Sequence, residues 1–166
     1  DEGGKGGKDG KGGQPPLPLS NATFLESAIG DIGEGASAAV CSKPGDPTGG
    51  GWNAEAAVDV DAQCPSDRNN YLNCSTFKPD AEGKIRARKE QFDAFHFVLF
   101  DDVGTKVERA RLADLKPTWE IETSPGNSQI GIRLREPIRD VATVKRLQDA
   151  IIAAGLCDPG ANGVGR

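Results

Sequence analysis

Methionine is absent from the 166 residues, even from position 1, and the chain runs out at "GANGVGR" without a closing element. On that basis we read it as a piece of a longer protein, cut at both ends. Cysteine is scarce: Cys41, Cys64, Cys74 and Cys157 form no CxxC spacing. That argues for reduced thiols in a cytoplasmic protein and against a disulfide framework or a zinc site. In that compartment the sequons Asn21-Ala-Thr and Asn73-Cys-Ser are chance matches. No stretch nears the roughly 20 apolar residues of a membrane span, and no apolar run at the start could act as a signal peptide. Positive charge is short as well: a net charge of −5 excludes a protein that coats nucleic acid by charge alone. The N-terminal glycines and "GANG" lack the lysine and following hydroxyl of a Walker loop, so an ATPase reading of this segment fails.

Residues 1–18, "DEGGKGGKDGKGGQPPLP", have almost nothing to bury, and their glycine, lysine and proline predict disorder. The ordered part then runs from Leu19 to Leu156, the size of a single domain. We assign that domain to residues 19–166, truncated at its C-terminal end.

Ser20 to Ile29 reads as a short helix capped by Ser20, with Phe24, Leu25 and Ile29 on one side. Glycine and proline dominate Gly30 to Gly51, interrupted by a strand around Ala38 to Ser42, and Trp52 is expected to anchor the loop to the core. Asn69 to Phe77 alternates as a strand, with Tyr71 and Phe77 in the core. Lys84 to Gln91 is rich in helix-forming residues. Ala94 to Val103 is the clearest strand, apolar on both faces over Phe97 to Phe100 as a covered central strand should be. The lone histidine, His96, lies within it and is expected to be a hydrogen-bonded core residue. Thr105 to Pro117 reads as a loop or short irregular helix. Trp119 to Thr123 and Ser128 to Leu134 form a hairpin around Ser124-Pro-Gly-Asn127, whose proline and glycine suit a type II turn. Asp140 caps a last helix carrying Val144, Leu147, Ile151 and Ala154, and Gly155 sits at its C′ position. These elements imply an α+β layer with a mixed or antiparallel sheet flanked by helices.

The central strand delivers two adjacent acids, Asp101 and Asp102, into a glycine turn. The polar side of the hairpin, Gln129 and Arg133, and Asp158 beyond the last helix would meet them on one side of such a sheet. Carboxylates beside a basic, amide-rich pocket are the working set of metal-assisted phosphoryl transfer, and oxygen ligands suit Mg²⁺ or Mn²⁺. The run "KIRARK", Lys84 to Lys89, is either a solvated face or a phosphate contact. Taken by themselves, the acids are equally compatible with a surface turn that ends a strand.

"FVLFDDVGTKV", "TWEIETSPGNSQIGI" and "NNYLNCSTF" together resemble the RepB-like primase domain of plasmid and prophage replication proteins, part of the archaeo-eukaryotic primase-polymerase superfamily. The resemblance covers roughly residues 24–166, and the DDVGTK and ETSPGN blocks in that order are its specific part. It implies a primase-polymerase (RRM-like) catalytic core that joins nucleoside triphosphates on a single-stranded DNA template, with Mg²⁺ or Mn²⁺ as cofactor and a helicase module or protein as a partner. It places the metal-binding acids at Asp101 and Asp102, with Asp158 as candidate third acid. It assigns the incoming triphosphate to Ser124, Gly126, Asn127, Gln129 and Arg133; within the basic run, Arg86, Arg88 and Lys89 are the candidate DNA contacts. Adjacent acids on a regular strand point to opposite faces. Either a bulge brings both to the metal, or only one binds it. Gln129 stands where the superfamily has a histidine, and Arg133 on the same face could supply the missing charge. Two other readings remain open: a catalytically silent DNA-binding module of a replication initiator, and a metal-dependent nuclease.

Overall fold

Ser20 opens the ordered chain with a reciprocal cap: its hydroxyl accepts the Thr23 N–H, and the Thr23 hydroxyl oxygen accepts the Ser20 N–H. Helix α1, Asn21–Ile29, follows and ends at Gly30. The computed structural model describes residues 19–46 and 49–157; the expectations for residues 1–18 and for Asp158 lie outside them. After α1 come strand β1 (Ser37–Lys43), the two-residue β2 (Glu55–Ala56), helix α2 (Val60–Gln63) and strand β3 (Asn69–Phe77). Then follow β4 (Phe92–Val103), β5 (Trp119–Ser124), β6 (Asn127–Ile138) and helix α3 (Val141–Ala153).

The protein is α+β, a six-stranded sheet in the order β2-β1-β3-β4-β6-β5 with every neighbouring pair antiparallel. The sheet is two halves joined over a short seam. β3 pairs with β4 only at Ser75↔Phe95, Thr76↔Ala94 and Phe77↔Phe92. The rest of β3 pairs with β1, and the rest of β4 pairs with β6. Helix α1 touches β3, β4 and β6, spanning both halves. Its Phe24 packs edge-on against Trp119, which meets Phe97 in the same way. Helix α3 packs Ile151 and Ile152 beside Cys74, Phe95, Val98 and Leu99. The core is continuous through Ala28, Ile29, Phe95, Phe97, Phe100, Ile130 and Val144.

Local signals explain most of these elements. Asp140 caps α3 by accepting the Thr143 N–H at 2.8 Å, and Gly155 at φ 67° follows the helix as a C′ residue. His96 is 1% exposed and bonded on both nitrogens, to the Ile29 carbonyl and the Thr76 hydroxyl, each at 3.0 Å. Phe77 is fully buried, as expected.

Three expectations are corrected. Lys84 to Gln91 is not a helix. It is a loop that tightens into one 3-10 turn at Lys89–Gln91, because the buried Gln91 amide donates to the Lys78 and Lys84 carbonyls and fixes an open path. Trp52 does not anchor its loop in the core; it is 53% exposed. Tyr71 is 37% exposed, because β3 leaves the seam before that residue and has β1 alone as neighbour there.

Candidate functional site

The end of β4 is bulged. Phe100 pairs with Ile130 and Val103 with Ser128, so Asp101 and Asp102 together stand opposite Gln129 alone. The bulge places Asp102 at φ 57°, among the described non-glycine residues the single one with positive φ, a region that short acidic side chains tolerate. The strict alternation that would send the two acids to opposite faces is broken at this point. Both side chains are half-buried, and the Asp101 carboxylate accepts the Asp102 N–H at 2.8 Å.

Beyond the bulge the chain folds into a tight turn on the Asp102 carbonyl, which accepts from the N–H groups of Thr105, Lys106 and Val107. This turn closes against the β5–β6 turn. Asn127 donates its amide to Asp102 Oδ1 at 3.2 Å and accepts the Thr105 hydroxyl at 2.7 Å. Its amide also donates to the Thr123 hydroxyl, while Gly126 N–H donates to Glu122. The DDVGTK and SPGN segments, 25 residues apart at Asp102 and Asn127, thus form one structure.

Cations that the sequence reading did not name complete the site. Lys106 Nζ sits 2.7 Å from Asp102 Oδ2. Arg109 donates to the Glu120 carboxylate at 2.6 Å and to the buried Ser128 hydroxyl at 3.2 Å. Hydrogen bonds, from Arg109 first and Ser128 next, hold Glu120 below the usual glutamate range. The signal for Lys106 was present in the sequence: a lysine four residues after an acid across a glycine turn is within pairing reach of it.

Other expected residues lie elsewhere. Gln129 is half-buried opposite the bulge. Arg133 pairs with Phe97, four residues further along β6, roughly 13 Å away. Its guanidinium lies against the end of α1, 3.5 Å and 3.4 Å from the Glu26 and Ser27 carbonyls. Ser124 and Gly126 are exposed in the turn. Arg86, Arg88 and Lys89 are exposed on the β3–β4 loop, at the start of β4 and about 30 Å from the acids that close it. An open groove of about 1300 Å³ runs beside α1, lined by Tyr71, Trp119, Ile121 and Arg133 among others. Of the expected site residues, Arg133 alone lines it.

Two hard-oxygen carboxylates released from strand alternation are a donor set that fits Mg²⁺ or Mn²⁺. Among the described residues no group of three or more His, Cys, Asp or Glu side chains is arranged around one point. No helix among them is long and apolar enough to cross a membrane. None of the protein families, curated proteins or solved structures compared with this chain matches it.

Proposed function

We propose that the chain is the primase-polymerase domain of a plasmid or prophage replication protein, a cytoplasmic enzyme that joins nucleoside triphosphates on a single-stranded DNA template. The observation that carries this reading is the bulge at Asp101–Asp102 locked to Asn127, because it gathers both resembling motifs at one point. In this reading Asp101 and Asp102 hold Mg²⁺ or Mn²⁺, with Asp158 as candidate third ligand. Bound there, the cation would supply charge neutralisation for the triphosphate and activation of the attacking hydroxyl. The chain's own groups position the substrate. Asn127 orients Asp102, and the exposed Ser124–Gly126 turn and Gln129 offer amide and hydroxyl contacts to phosphate oxygens. Arg133 contributes only if it leaves the α1 carbonyls. In this reading Arg86, Arg88 and Lys89, about 30 Å behind the acids, contact the template backbone. A helicase module or protein is the partner implied.

Primer synthesis on an oligonucleotide template with Mn²⁺ and labelled triphosphates tests the reading. Asp101→Ala and Asp102→Ala are expected to lose at least about 100-fold in rate, with unchanged circular dichroism. Parent-like synthesis by both variants overturns it.

A specific observation favours a second reading, a catalytically silent DNA-binding module of a replication initiator. Lys106 occupies Asp102 Oδ2, so the acid serves as a turn anchor. Mn²⁺ titration separates the two, since a silent module has no saturable site that depends on Asp101 and Asp102.

A further inference from the structure

Trp52 and Tyr71 form an aromatic pair that the fold holds in solvent. Their ring centroids are 4.6 Å apart at an interplanar angle of 85°, with 53% of Trp52 and 37% of Tyr71 exposed. Lys43 Nζ lies over the Trp52 ring, 5.2 Å from its centroid. The loop that carries Trp52 is fastened to present it. Asn69 donates to the Gly45 carbonyl at 2.6 Å, and Lys43 donates to the Gly50 carbonyl. Gly50 and Gly51 both have positive φ, and a Cβ on either would meet nothing. Backbone conformation, not packing, therefore requires glycine there.

The position of the pair matters as much as its exposure. β3 bulges by two residues between Leu72 and Thr76, so counting along β1 from Ala38, which pairs with Thr76 opposite Ala94, Tyr71 is level with about Phe97 and Asn69 with about Leu99. The pair thus lies along β4 between the seam and the acid bulge, across the gap where β3 and β4 have parted. Tyr71 also lines the groove that Trp119 and Ile121 line.

We propose that Trp52, Tyr71 and Lys43 form a stacking platform for the bases of a single nucleic-acid strand, feeding it toward the acid end of the sheet. This rests on the polymerase reading for its purpose, but not for its chemistry. An indole and a phenol offer flat faces to any base, and the Lys43 ammonium, with Arg68 next to Asn69, suits the adjoining phosphates. A duplex fits poorly, because its bases are already stacked on each other. The acids Asp46 and Asp67 beside these cations keep the local potential low. Affinity here should therefore come from stacking, and the platform's own share of the salt dependence should be shallow, a slope of about −1.4 for two phosphates.

Fluorescence anisotropy of labelled oligothymidylate of about 15 nucleotides tests the platform, at about 50 mM and about 200 mM salt. Trp52→Leu and Tyr71→Ala are expected to weaken binding roughly 5- to 100-fold each, whereas Trp52→Phe, which keeps an aromatic face, stays within about threefold. The proposal is overturned if Trp52→Leu binds like Trp52→Phe, if the parent fails to bind the oligonucleotide, or if it prefers duplex of the same length. A parent that binds through Trp52 yet synthesises nothing retains the platform and removes the polymerase reading. Synthesis with binding indifferent to Trp52 removes the platform alone.

Discussion

Gly104 lies so close to Gly126 that a Cβ built on it would stand 2.3 Å from the Gly126 carbonyl oxygen. That contact is backbone on backbone, and it is how the β4 turn seats on the β5–β6 turn. Gly104 also has φ 99°, so alanine there meets both a clash and a strained conformation. Gly104→Ala is expected to cost about 2–4 kcal/mol in urea unfolding. Gly126→Ala, whose added carbon would meet nothing, should cost only about 1 kcal/mol for its positive φ. Equal costs would mean the seating contributes no stability.

On the polymerase reading, a divalent cation at Asp102 would compete with Lys106 for the same oxygen. The ammonium sits 2.7 Å from Oδ2 and is 67% exposed, so Lys106→Met should change stability by less than about 1 kcal/mol. It should tighten Mn²⁺ binding by about 3- to 10-fold, measured by electron paramagnetic resonance of free Mn²⁺. Unchanged Mn²⁺ affinity would place the cation site away from Asp102. A raised KM for triphosphate in the same variant would mark Lys106 as a substrate contact.

The sequence made the strands, caps and hairpin legible because each leaves a local mark. Ser20 and Asp140 are capping residues, Gly155 is a C′ glycine, and Phe97 to Phe100 is an unbroken apolar run. Long-range geometry leaves no such mark. Pairing between β3 and β4 stops at Ser75↔Phe95, and nothing in Asn69 to Cys74 announces it, so Tyr71 reads as core when it faces solvent. Gly131 carries no local mark of its role either: glycine is needed there because the Trp119 ring lies where a Cβ would stand, 2.0 Å away. The bulge at Asp101–Asp102 was foreseen only as one of two alternatives. The path of Arg133 to the α1 carbonyls depends on a helix more than a hundred residues away in sequence.

The β3–β4 loop gives a prediction that separates position from charge. Gln91 is 8% exposed, and its amide ties the Lys78 and Lys84 carbonyls together. Gln91→Ala leaves those carbonyls short of a donor and should cost about 1–3 kcal/mol. It keeps every cation of the basic run but lets the run lose its fixed path. If Arg86, Arg88 and Lys89 contact DNA as a preformed set, oligonucleotide affinity should fall by about 3- to 10-fold, with the salt slope unchanged. Arg88→Ala should instead reduce the slope by about 0.7 to 0.9. An unaltered affinity in both variants would take this loop out of the interface.

His96 supplies a pH prediction whose sign follows from its partners. The Ile29 carbonyl only accepts, so Nδ1 carries the proton, and in the neutral ring Nε2 accepts from the Thr76 hydroxyl. Burial holds the His96 pKa below the ordinary histidine value; the Ile29 bond and Asp93 oppose the shift, and Arg139 adds slightly to it. The unfolded chain therefore takes up the proton first as pH falls. The contribution of neutral His96 to stability is complete above the ordinary value, about 6.5, and declines as pH drops from there toward the lowered folded value. Protonation is softened by a second arrangement. Nε2–H can donate to Thr76, whose hydroxyl then turns to Asp93 Oδ2, 3.3 Å away. Asp93 is in turn held by Arg139 at 2.9 Å and Lys78 at 3.6 Å. Urea midpoints measured from about pH 5 to about pH 8 should rise with pH in the parent. His96→Gln should be less stable by about 1–3 kcal/mol at neutral pH and should lose the part of that slope near pH 6. An identical slope in the variant would assign the pH dependence to other groups and leave His96 as a packing residue only.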